Sequence, residues 1–280
     1  MRVLLVVNPR ARRGRELGGD VRRQLALRGV ETVETASSPQ DLDGIVVAGG
    51  DGTFARTIGK ALDLGLPMGL VPLGTFNDLA HTLGIPFDVE AACATIAAAH
   101  TRTIDVARVN GAHYVSEASI GVSSRLTRLQ KTRDKQRFGL LAVLASAFAT
   151  IKYLRPFHAD IVYDGTSVRL RCVQLTVANS NHFGGFITVE GAAVDDGWLD
   201  MYSVDIDGPR SVFALIGAIL SGEPRAADSL RAIRSAAFTV ATRRPRAIVA
   251  DGEPAGKTPA RFELLRSALH VFVPEGSTAG

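Results

Sequence analysis

The sequence predicts an α/β fold followed by a β fold: an N-terminal Rossmann-like parallel-sheet domain, then a C-terminal antiparallel β-sandwich domain. Two observations lead to this prediction. In the first hundred residues, apolar runs of about four to six residues alternate with helix-period segments, which is typical of a parallel sheet covered on both faces. Beyond about residue 103, short β-like runs follow one another with turn signals between them, which is typical of antiparallel sheets.

Each element of the first half has a pattern of its own. Strands are predicted for the runs "RVLLVV", "VETVETA", "GIVVAGG" and "MGLVPLG". Helices are predicted for Arg15–Arg28, Thr53–Leu64, Thr75–Leu83 and Asp88–His100. In sheets of this kind, ligands bind beyond the carboxyl ends of the strands, and the glycine turns of this sequence fall at that edge.

The second half is marked by hairpin signals. The dipeptides Asn110-Gly111 and Asp164-Gly165 lie between alternating strands and predict two-residue turns. Helices are expected near residues 124–154 and 209–221. We therefore expect three parts: an α/β domain over 1–104, a β-rich domain over 105–274, and a tail over 275–280.

Composition limits the class of protein. The chain is 46% hydrophobic and 21% charged, as in ordinary globular proteins, and its net charge of +4 favours anionic partners without choosing among them. Cys93 and Cys172 lie far apart in apolar segments, so we expect buried reduced thiols. The longest apolar run, Phe138–Ile151, is shorter than the roughly 20 residues that span a bilayer. We expect a cytoplasmic protein, with peripheral attachment to the inner face of the membrane left open.

Polar turn residues follow the predicted strands. The Gly49–Thr53 turn is neither a P-loop nor a dinucleotide fingerprint, but it supplies backbone N–H groups and a helix N-terminus for an anion. Asp51 in this turn could cap the helix or hold Mg²⁺ together with phosphate oxygens. A second turn, from Gly74 to Asp78, repeats the pattern one unit later and favours the metal. Phosphoryl transfer needs such donors and acids.

Five segments together resemble a known family. They are "NPRARRG", "VVAGGDGTF", "LGLVPLGTFNDLAHTLGIP", "DDGWLD" and "VADGEPA". They resemble the diacylglycerol kinase catalytic-domain family in its bacterial lipid-kinase branch, which is related to sphingosine kinases and, more distantly, to NAD kinases. The motifs keep the family's order over nearly the whole chain. The resemblance implies a two-domain kinase that binds ATP between its domains, uses Mg²⁺ and phosphorylates a lipid hydroxyl such as that of diacylglycerol. It makes 1–104 the nucleotide-binding domain and assigns the lipid-substrate and catalytic motifs to 105–274.

The same resemblance implies site residues. It implies ATP contacts at Asn8, Pro9, Arg10, Ala11, Arg12, Ser37, Gly49, Gly50, Asp51, Gly52, Thr53, Phe54, Arg56, Gly74, Thr75 and Asn77. It implies metal-supporting acids at Asp51, Asp78 and Asp105. It implies a structural Mg²⁺ site at the "DDG" turn, formed by the side chain of Asp196 and backbone oxygens of Ala193 and Trp198. Glu253, or Asp251 close by, would accept the proton of the lipid hydroxyl.

Plainer alternatives exist for two of these motifs. Asp251-Gly252 taken alone is a type I′ hairpin turn, and the "DDG" segment taken alone is a loop. The chain also departs from the family, which usually has an amide and an acid where this sequence has Ala55 and Arg56. Arg56 brings a cation near the phosphates instead.

The partners follow from charge and family. The segment Arg125–Gly139 contains six Lys or Arg residues and one acid, which indicates either a solvated helix or a basic lip on anionic lipid, at about 1 kcal/mol per cation. Two alternative functions are an NAD kinase-like small-molecule kinase and a catalytically weak regulator that binds nucleotide or lipid. The basic residues are scattered without aromatic platforms, so we expect no nucleic acid partner. Related folds permit a homodimer.

Overall fold

A computed structural model describes most of the chain. It describes residues 1–8, 12–35, 41–75, 77–121, 155–180, 182–183, 187–188, 193–205 and 230–277. Several predictions lie outside these residues: the helices near 124–154 and 209–221, the basic segment 125–139, the predicted ATP contacts Pro9, Arg10, Ala11 and Ser37, and the end of the predicted tail.

A parallel sheet with helices forms the first part of the molecule. Its strands are β1 (Arg2–Val7), β2 (Glu31–Val33), β3 (Gly44–Gly49) and β4 (Met68–Pro72), in the spatial order β2-β1-β3-β4. Its helices are α1 (Arg12–Ala26), α2 (Asp51–Leu64), α3 (Asp78–Leu83) and α4 (Val89–Ala97). Strands β3 and β4 are buried along their whole length because helices cover both faces. The predicted alternation of strands and helices is confirmed.

The rest of the described chain is mainly β-structure. Its strands are β5 (Thr101–Val109), β6 (Ala112–Tyr114), β7 (Glu117–Gly121), β8 (Phe157–Tyr163), β9 (Thr166–Cys172), β10 (Gln174–Ala178), β11 (His182–Phe183), β12 (Ile187–Thr188), β13 (Leu199–Val204), β14 (Leu230–Ser235), β15 (Ala237–Thr242), β16 (Ala247–Ala250), β17 (Glu253–Lys257) and β18 (Ala260–Phe272). Six of them form an antiparallel sheet in the order β14-β13-β10-β7-β16-β17. One core cluster takes side chains from both large sheets, including Ile120, Leu175 and Phe238, so the predicted β-sandwich is confirmed.

Strand β18 connects the two parts. It pairs antiparallel with β15 and with β5, and at its end Val271 pairs in parallel with Met68 of β4. The register of β18 against β5 shifts between Leu265 and Leu269, which bends the strand from one part toward the other. One sheet therefore runs through both parts in the order β2-β1-β3-β4-β18-β15-β8-β9.

Local sequence signals for turns and cysteines are also borne out. The turns at Asn110-Gly111 and Asp164-Gly165 join β5 to β6 and β8 to β9, with positive φ angles at all four residues. Cys93 and Cys172 are buried and free. Within the described ranges, no helix combines the length and the apolar character that a bilayer span requires.

Candidate active site

Two glycine turns touch each other at the carboxyl edge of the parallel sheet. A Cβ atom at Gly50 would lie 2.9 Å from the Cα atom of Gly74, and a Cβ atom at Gly74 would lie 2.5 Å from the Cα atom of Gly50. Only residues without a side chain allow this approach. Asn77 fixes the second turn, because its Oδ1 accepts from the Gly74 backbone N–H at 2.9 Å and its Nδ2 donates to the Gly74 carbonyl at 3.2 Å. The motif glycines thus bring two strand ends together.

The N-terminus of α2 faces this edge. Its N-cap is Gly50, without a side-chain cap, so the helix end offers backbone N–H groups to an anion. Asn8, which follows β1, donates from Nδ2 to Thr53 Oγ1 at 3.1 Å and thereby ties the end of β1 to the start of α2. Phe54 differs from the other predicted ATP contacts in this turn, because its ring is buried in the hydrophobic core. A ligand would meet only the backbone there.

Asp51 joins α2 to α3. Its Oδ1 accepts from the Leu79 backbone N–H at 3.2 Å, at the N-terminus of α3. It therefore caps a helix, but α3 rather than its own helix α2. Burial raises the pKa of Asp51, while the backbone N–H groups of the α3 N-terminus lower it. The neighbouring Asp78 is buried in the first turn of α3. Asp51 and Asp78, two of the three acids predicted to support a metal, therefore lie together at the N-terminus of α3.

The hairpin between β16 and β17 covers the N-terminus of α2. A Cβ atom at Gly52 would lie 2.9 Å from the Asp251 carbonyl oxygen and 3.1 Å from Glu253 Oε1. Arg56, one turn further along α2, forms an ion pair with Glu253, and both side chains are about half exposed. The carboxylate of Glu253 is therefore accessible and lies against the glycine turn.

Asp251 has a different environment. Its φ angle is 43° and that of Gly252 is 81°, as a type I′ hairpin requires, so the plainer alternative for this motif is also present. Its carboxylate accepts from the backbone N–H groups of Val115, Ser116 and Glu117 at 2.8, 3.1 and 3.0 Å. Burial first, and then the charge of Asp51, raise the pKa of Asp251 to about 8, against the lowering effect of these donors. Asp251 holds the loop before β7.

Glu117 is a site residue that the sequence did not reveal. It lies at the start of β7, where burial and the charge of Asp78 raise its pKa to about 7. Its backbone N–H donates to Asp251 Oδ1, and its carbonyl accepts from the Asp251 N–H at 2.9 Å. The sequence signal was a single acid inside the apolar run "YVSEASIG". Charge therefore couples these acids in two pairs, Asp251 with Asp51 and Glu117 with Asp78.

Protein stability should depend on the ionisation of Glu117. The folded pKa of about 7 lies above the ordinary value of 4.5, so the folded state binds more protons between these values. The free energy of unfolding should then fall as pH rises from about 5 to about 7.5, by about 1–2 kcal/mol for a residue that keeps partial exposure.

Urea unfolding at several pH values tests this dependence. Glu117→Gln should make the decline smaller, because the amide does not ionise, but a decline should remain because the raised pKa of Asp251, about 8, acts over the same pH range. Glu263→Gln on β18 should leave the whole decline unchanged. A decline of equal size in Glu117→Gln and in the wild-type protein would assign the titration to another group.

The contacts of these acids limit how a metal could bind. In the part of the chain that the structure describes, no three His, Cys, Asp or Glu side chains are grouped closely enough to hold an ion by themselves. The carboxylate of Asp251 already accepts three N–H groups. Asp51 fits a different mode, in which Mg²⁺ takes one or two carboxylates and completes its shell with phosphate and water oxygens. The buried charge of Asp51 would be neutralised in that arrangement.

Asp105 lies with the "DDG" turn. Its Oδ2 accepts from the Gly197 N–H at 2.8 Å, and its Oδ1 accepts from the Ser267 N–H at 2.6 Å. These contacts tie the turn to the bend of β18. The described contacts of Asp105 thus join it to the turn rather than to Asp51.

Asp196 in the same turn already faces a cation. Its carboxylate accepts from the Ala193 and Trp198 backbone N–H groups at 3.3 and 2.9 Å. Arg234 Nη2 lies 3.5 Å from Asp196 Oδ2 and 2.7 Å from Asp200 Oδ2. Burial raises the pKa of Asp196, and the guanidinium lowers it. The three residues predicted for a structural Mg²⁺ lie together, but Ala193 and Trp198 turn their backbone N–H groups, not their oxygens, toward the Asp196 carboxylate. With a guanidinium beside it as well, this carboxylate does not fit a metal in this form.

Removing the Arg234 guanidinium should destabilise this turn. Arg234→Ala leaves Asp200, whose side chain is 6% exposed, without that partner. We expect a loss of about 2 kcal/mol in the free energy of unfolding, less than for a fully buried pair because Arg234 is 38% exposed.

Thermal unfolding with and without Mg²⁺ makes the test specific. In the absence of nucleotide, with which the Mg²⁺ proposed at Asp51 would bind, the wild-type melting temperature should not respond to millimolar Mg²⁺ or to chelator, whereas Arg234→Ala should regain stability when Mg²⁺ is added. Arg261→Ala on β18 serves as a control for loss of one arginine. A chelator that destabilises the wild-type protein as much as Arg234→Ala would restore the metal assignment.

Comparison with known proteins agrees with this architecture. Residues 2–109 match the family model described as the diacylglycerol kinase catalytic domain, and residues 116–273, more than half of the chain, match the YegS C-terminal NAD kinase beta sandwich-like domain. A diacylglycerol kinase of Bacillus subtilis is 28% identical over 240 residues, which are 84% of this chain and 79% of that protein. An uncharacterized protein of Synechocystis is 27% identical over 255 residues, but the chain spans only 59% of its length.

A solved structure shares the whole fold. A crystal structure of a diacylglycerol kinase from Bacillus anthracis superposes with a TM-score of 0.77 at 26% identity, over 99% of this chain and 98% of that chain. The matched regions cover both the glycine turns and the hairpin that carries Glu253. The chain therefore belongs to the family that joins a diacylglycerol kinase catalytic domain to a YegS C-terminal, NAD kinase β-sandwich-like domain.

Proposed function

We propose that this kinase transfers the γ-phosphate of ATP to the hydroxyl group of a lipid such as diacylglycerol, in a reaction that depends on Mg²⁺. Family membership supports a lipid kinase in general. One observation supports the specific mechanism: the hairpin with the accessible Glu253 carboxylate lies directly on Gly52 at the N-terminus of α2. The proposed phosphate site at the N-terminus of α2 and the proposed base, Glu253, are therefore adjacent.

The nucleotide phosphates would bind at the N-terminus of α2. The backbone N–H groups after Gly50 and the polar side chains of Asn8 and Thr53 offer donors there. Thr75 is exposed at the second turn and offers a further hydroxyl. The contact between Gly50 and Gly74 keeps both turns at one edge, so the triphosphate would meet donors from both strands.

Glu253 would act as the general base. Its carboxylate accepts the proton of the lipid hydroxyl while the hydroxyl oxygen bonds to the γ-phosphorus and the bond to the ADP oxygen breaks. Arg56 would orient this carboxylate and place positive charge beside the transferred group. Asp251 acts indirectly in this scheme, because its carboxylate is engaged with the loop before β7.

Asp51 and Asp78 are the residues that would hold Mg²⁺. The ion, when bound, neutralises charge on the phosphates during transfer. Asp51→Asn should therefore raise the Mg²⁺ concentration needed for half-maximal transfer by at least about tenfold, or remove transfer. Titration of the transfer rate with Mg²⁺ measures this shift, with Asp63→Asn in the last turn of α2 as the control. An unchanged Mg²⁺ requirement would mean that Asp51 acts only as the cap of α3.

Label transfer tests the whole proposal. The protein is incubated with γ-labelled ATP, Mg²⁺ and mixed micelles of total bacterial lipid, and the organic phase is separated by chromatography. We expect label in a lipid, whose mobility identifies the acceptor, and at least about a hundredfold less label with Glu253→Gln. Label in NADP after addition of NAD would instead support the small-molecule kinase. ATP binding without transfer to either acceptor would support the regulator.

Two further parts of the proposal concern membrane contact and oligomeric state. The basic segment 125–139 motivates peripheral contact with an anionic membrane surface, and related folds motivate a homodimer. Neutralising that segment should weaken sedimentation with anionic vesicles, and light scattering measures the oligomeric state.

A further inference from the structure

Four arginines meet in one concave surface on the β-rich part, which we call the arginine pocket. They are Arg169 on β9 and Arg243, Arg244 and Arg246 between β15 and β16. The pocket also contains Phe157 and His158 and has a volume of about 500 Å³. That size lies within the range of small-molecule sites, roughly 300–1,000 Å³.

The loop that presents three of these arginines is held in place by hydrogen bonds. Thr258, which is 2% exposed, accepts from the Arg246 backbone N–H at 2.9 Å and also bonds to the hydroxyl of Thr242. Thr242 donates in turn to the Arg244 carbonyl at 2.8 Å. The guanidinium of Arg246 stacks on the ring of Phe157, 3.9 Å from its centroid. The loop is therefore preorganised, which lowers the entropy lost when a ligand binds.

The charges in the arginine pocket are poorly balanced. Among the described residues that form its wall there is no acid. Arg169 pairs with Asp160 on the neighbouring strand, at 3.0 Å between Nε and Oδ1. The formal net charge of the whole chain is only +4, so four arginines at one surface concentrate positive charge there. A concave surface with an excess of guanidinium groups attracts anions and raises their local concentration.

The chemistry of guanidinium groups selects the kind of anion. Their planar N–H pairs match the oxygens of a phosphate group and bind it with two parallel hydrogen bonds. The cavity is far larger than a single phosphate, so its ligand would carry an organic part as well. A soluble phosphorylated molecule and the headgroup of an anionic lipid present this same chemistry.

The arginine pocket is separate from the nucleotide cleft. Strand β16 begins next to Arg246 and ends at Ala250, next to Asp251, so the pocket and the catalytic hairpin lie at opposite ends of that strand. Neither the glycine turns nor Glu253 contribute to it. Its occupancy can therefore be altered without removing a residue of the proposed active site.

We propose that the arginine pocket binds a phosphate-bearing ligand, at a second site independent of the nucleotide cleft. The site takes its anion through Arg243, Arg244 and Arg169, while the stacked Arg246 anchors the loop. This inference does not depend on which acceptor the kinase phosphorylates.

Binding measurements on a double variant test the proposal. Inorganic pyrophosphate is titrated calorimetrically into the wild-type protein, into Arg243→Ala/Arg244→Ala, and into Arg22→Ala/Arg23→Ala. The last variant removes an adjacent pair of exposed arginines from α1 and matches the change in net charge. In parallel, all three proteins are sedimented with phosphatidylcholine vesicles with and without about one-fifth phosphatidate.

Each outcome has one meaning. A loss of pyrophosphate affinity of at least about tenfold, seen only in the pocket variant, supports a soluble ligand. A loss only of phosphatidate-dependent sedimentation, again specific to the pocket variant, supports a lipid headgroup. Equal binding by all three proteins, or equal losses in both double variants, would overturn the proposal. Pyrophosphate that binds in the nucleotide cleft is retained by the pocket variant, so failure of the kinase proposal would not mimic any of these results.

Discussion

Glu253→Gln is expected to lower kcat for the lipid acceptor by about 10²–10⁴-fold, while the dissociation constant for ATP changes by less than about threefold. Glutamine has the same shape as glutamate and leaves the hairpin on Gly52 in place, but it cannot take the proton of the attacking hydroxyl. The measurement combines transfer at saturating ATP with a nucleotide titration.

The control for Glu253→Gln is Glu263→Gln on β18. Glu263 is also paired with an arginine, Arg108, at 2.6 Å, but it lies away from the hairpin. The control should keep the wild-type kcat. Transfer at the wild-type rate by Glu253→Gln would remove Glu253 from the role of base.

Asp251→Asn is expected to lower the free energy of unfolding by about 2–4 kcal/mol. The carboxylate accepts three backbone N–H groups, and an amide offers only one oxygen to them. Its NH₂ group would face another donor, for example the Val115 N–H at 2.8 Å. Transfer should then fall as well, because the loop and the hairpin that aligns Glu253 lose their connection. Urea unfolding at pH 9, above the Asp251 pKa of about 8, measures the stability with the carboxylate ionised.

Asp164→Asn is the matched control for Asp251→Asn. It changes the same dipeptide in another hairpin, where the described contact of the carboxylate is a single bond from Ser235 Oγ at 3.0 Å. We expect a smaller loss of stability in the control. If Asp251→Asn is as stable as the wild-type protein yet transfers no phosphate, Asp251 rather than Glu253 is the base.

Local features of this fold could be predicted because their causes are local. Apolar runs of strand length predicted β1, β3 and β4, and the Asn110-Gly111 and Asp164-Gly165 dipeptides predicted hairpins. The glycine turns were predicted to share an edge because parallel strands end on one side. These inferences need only the neighbours of each residue in the chain.

The contacts that complete the candidate site are not local. Arg56 and Glu253 are 197 residues apart, and nothing near either residue indicates that they pair. Glu117 is one acid in an apolar strand, and its raised pKa arises from tertiary burial beside Asp78. The occupation of Asp196 by Arg234 likewise follows from the pairing of β13 with β14.

For two motifs the sequence alternatives were not exclusive. Asp51 was expected either to cap α2 or to hold a metal, and it caps α3, which leaves the metal role as a proposal. Asp251-Gly252 was either a hairpin turn or part of a catalytic end. It is a hairpin turn, and this hairpin also places Glu253 against Gly52 in the first glycine turn. In both cases the backbone role positions the acid that the chemistry would use.

The path of β18 has a consequence for biosynthesis. At the start of β4, Met68 pairs with Val271 of β18, a strand that leaves the ribosome about two hundred residues later. At roughly 5–20 residues per second, the edge of the nascent sheet stays open for about 10–40 seconds. An open, apolar edge strand is a template for pairing with other chains. Nascent chains of this kinase should therefore be clients of ribosome-associated chaperones until β18 emerges, and slower translation should lengthen that dependence.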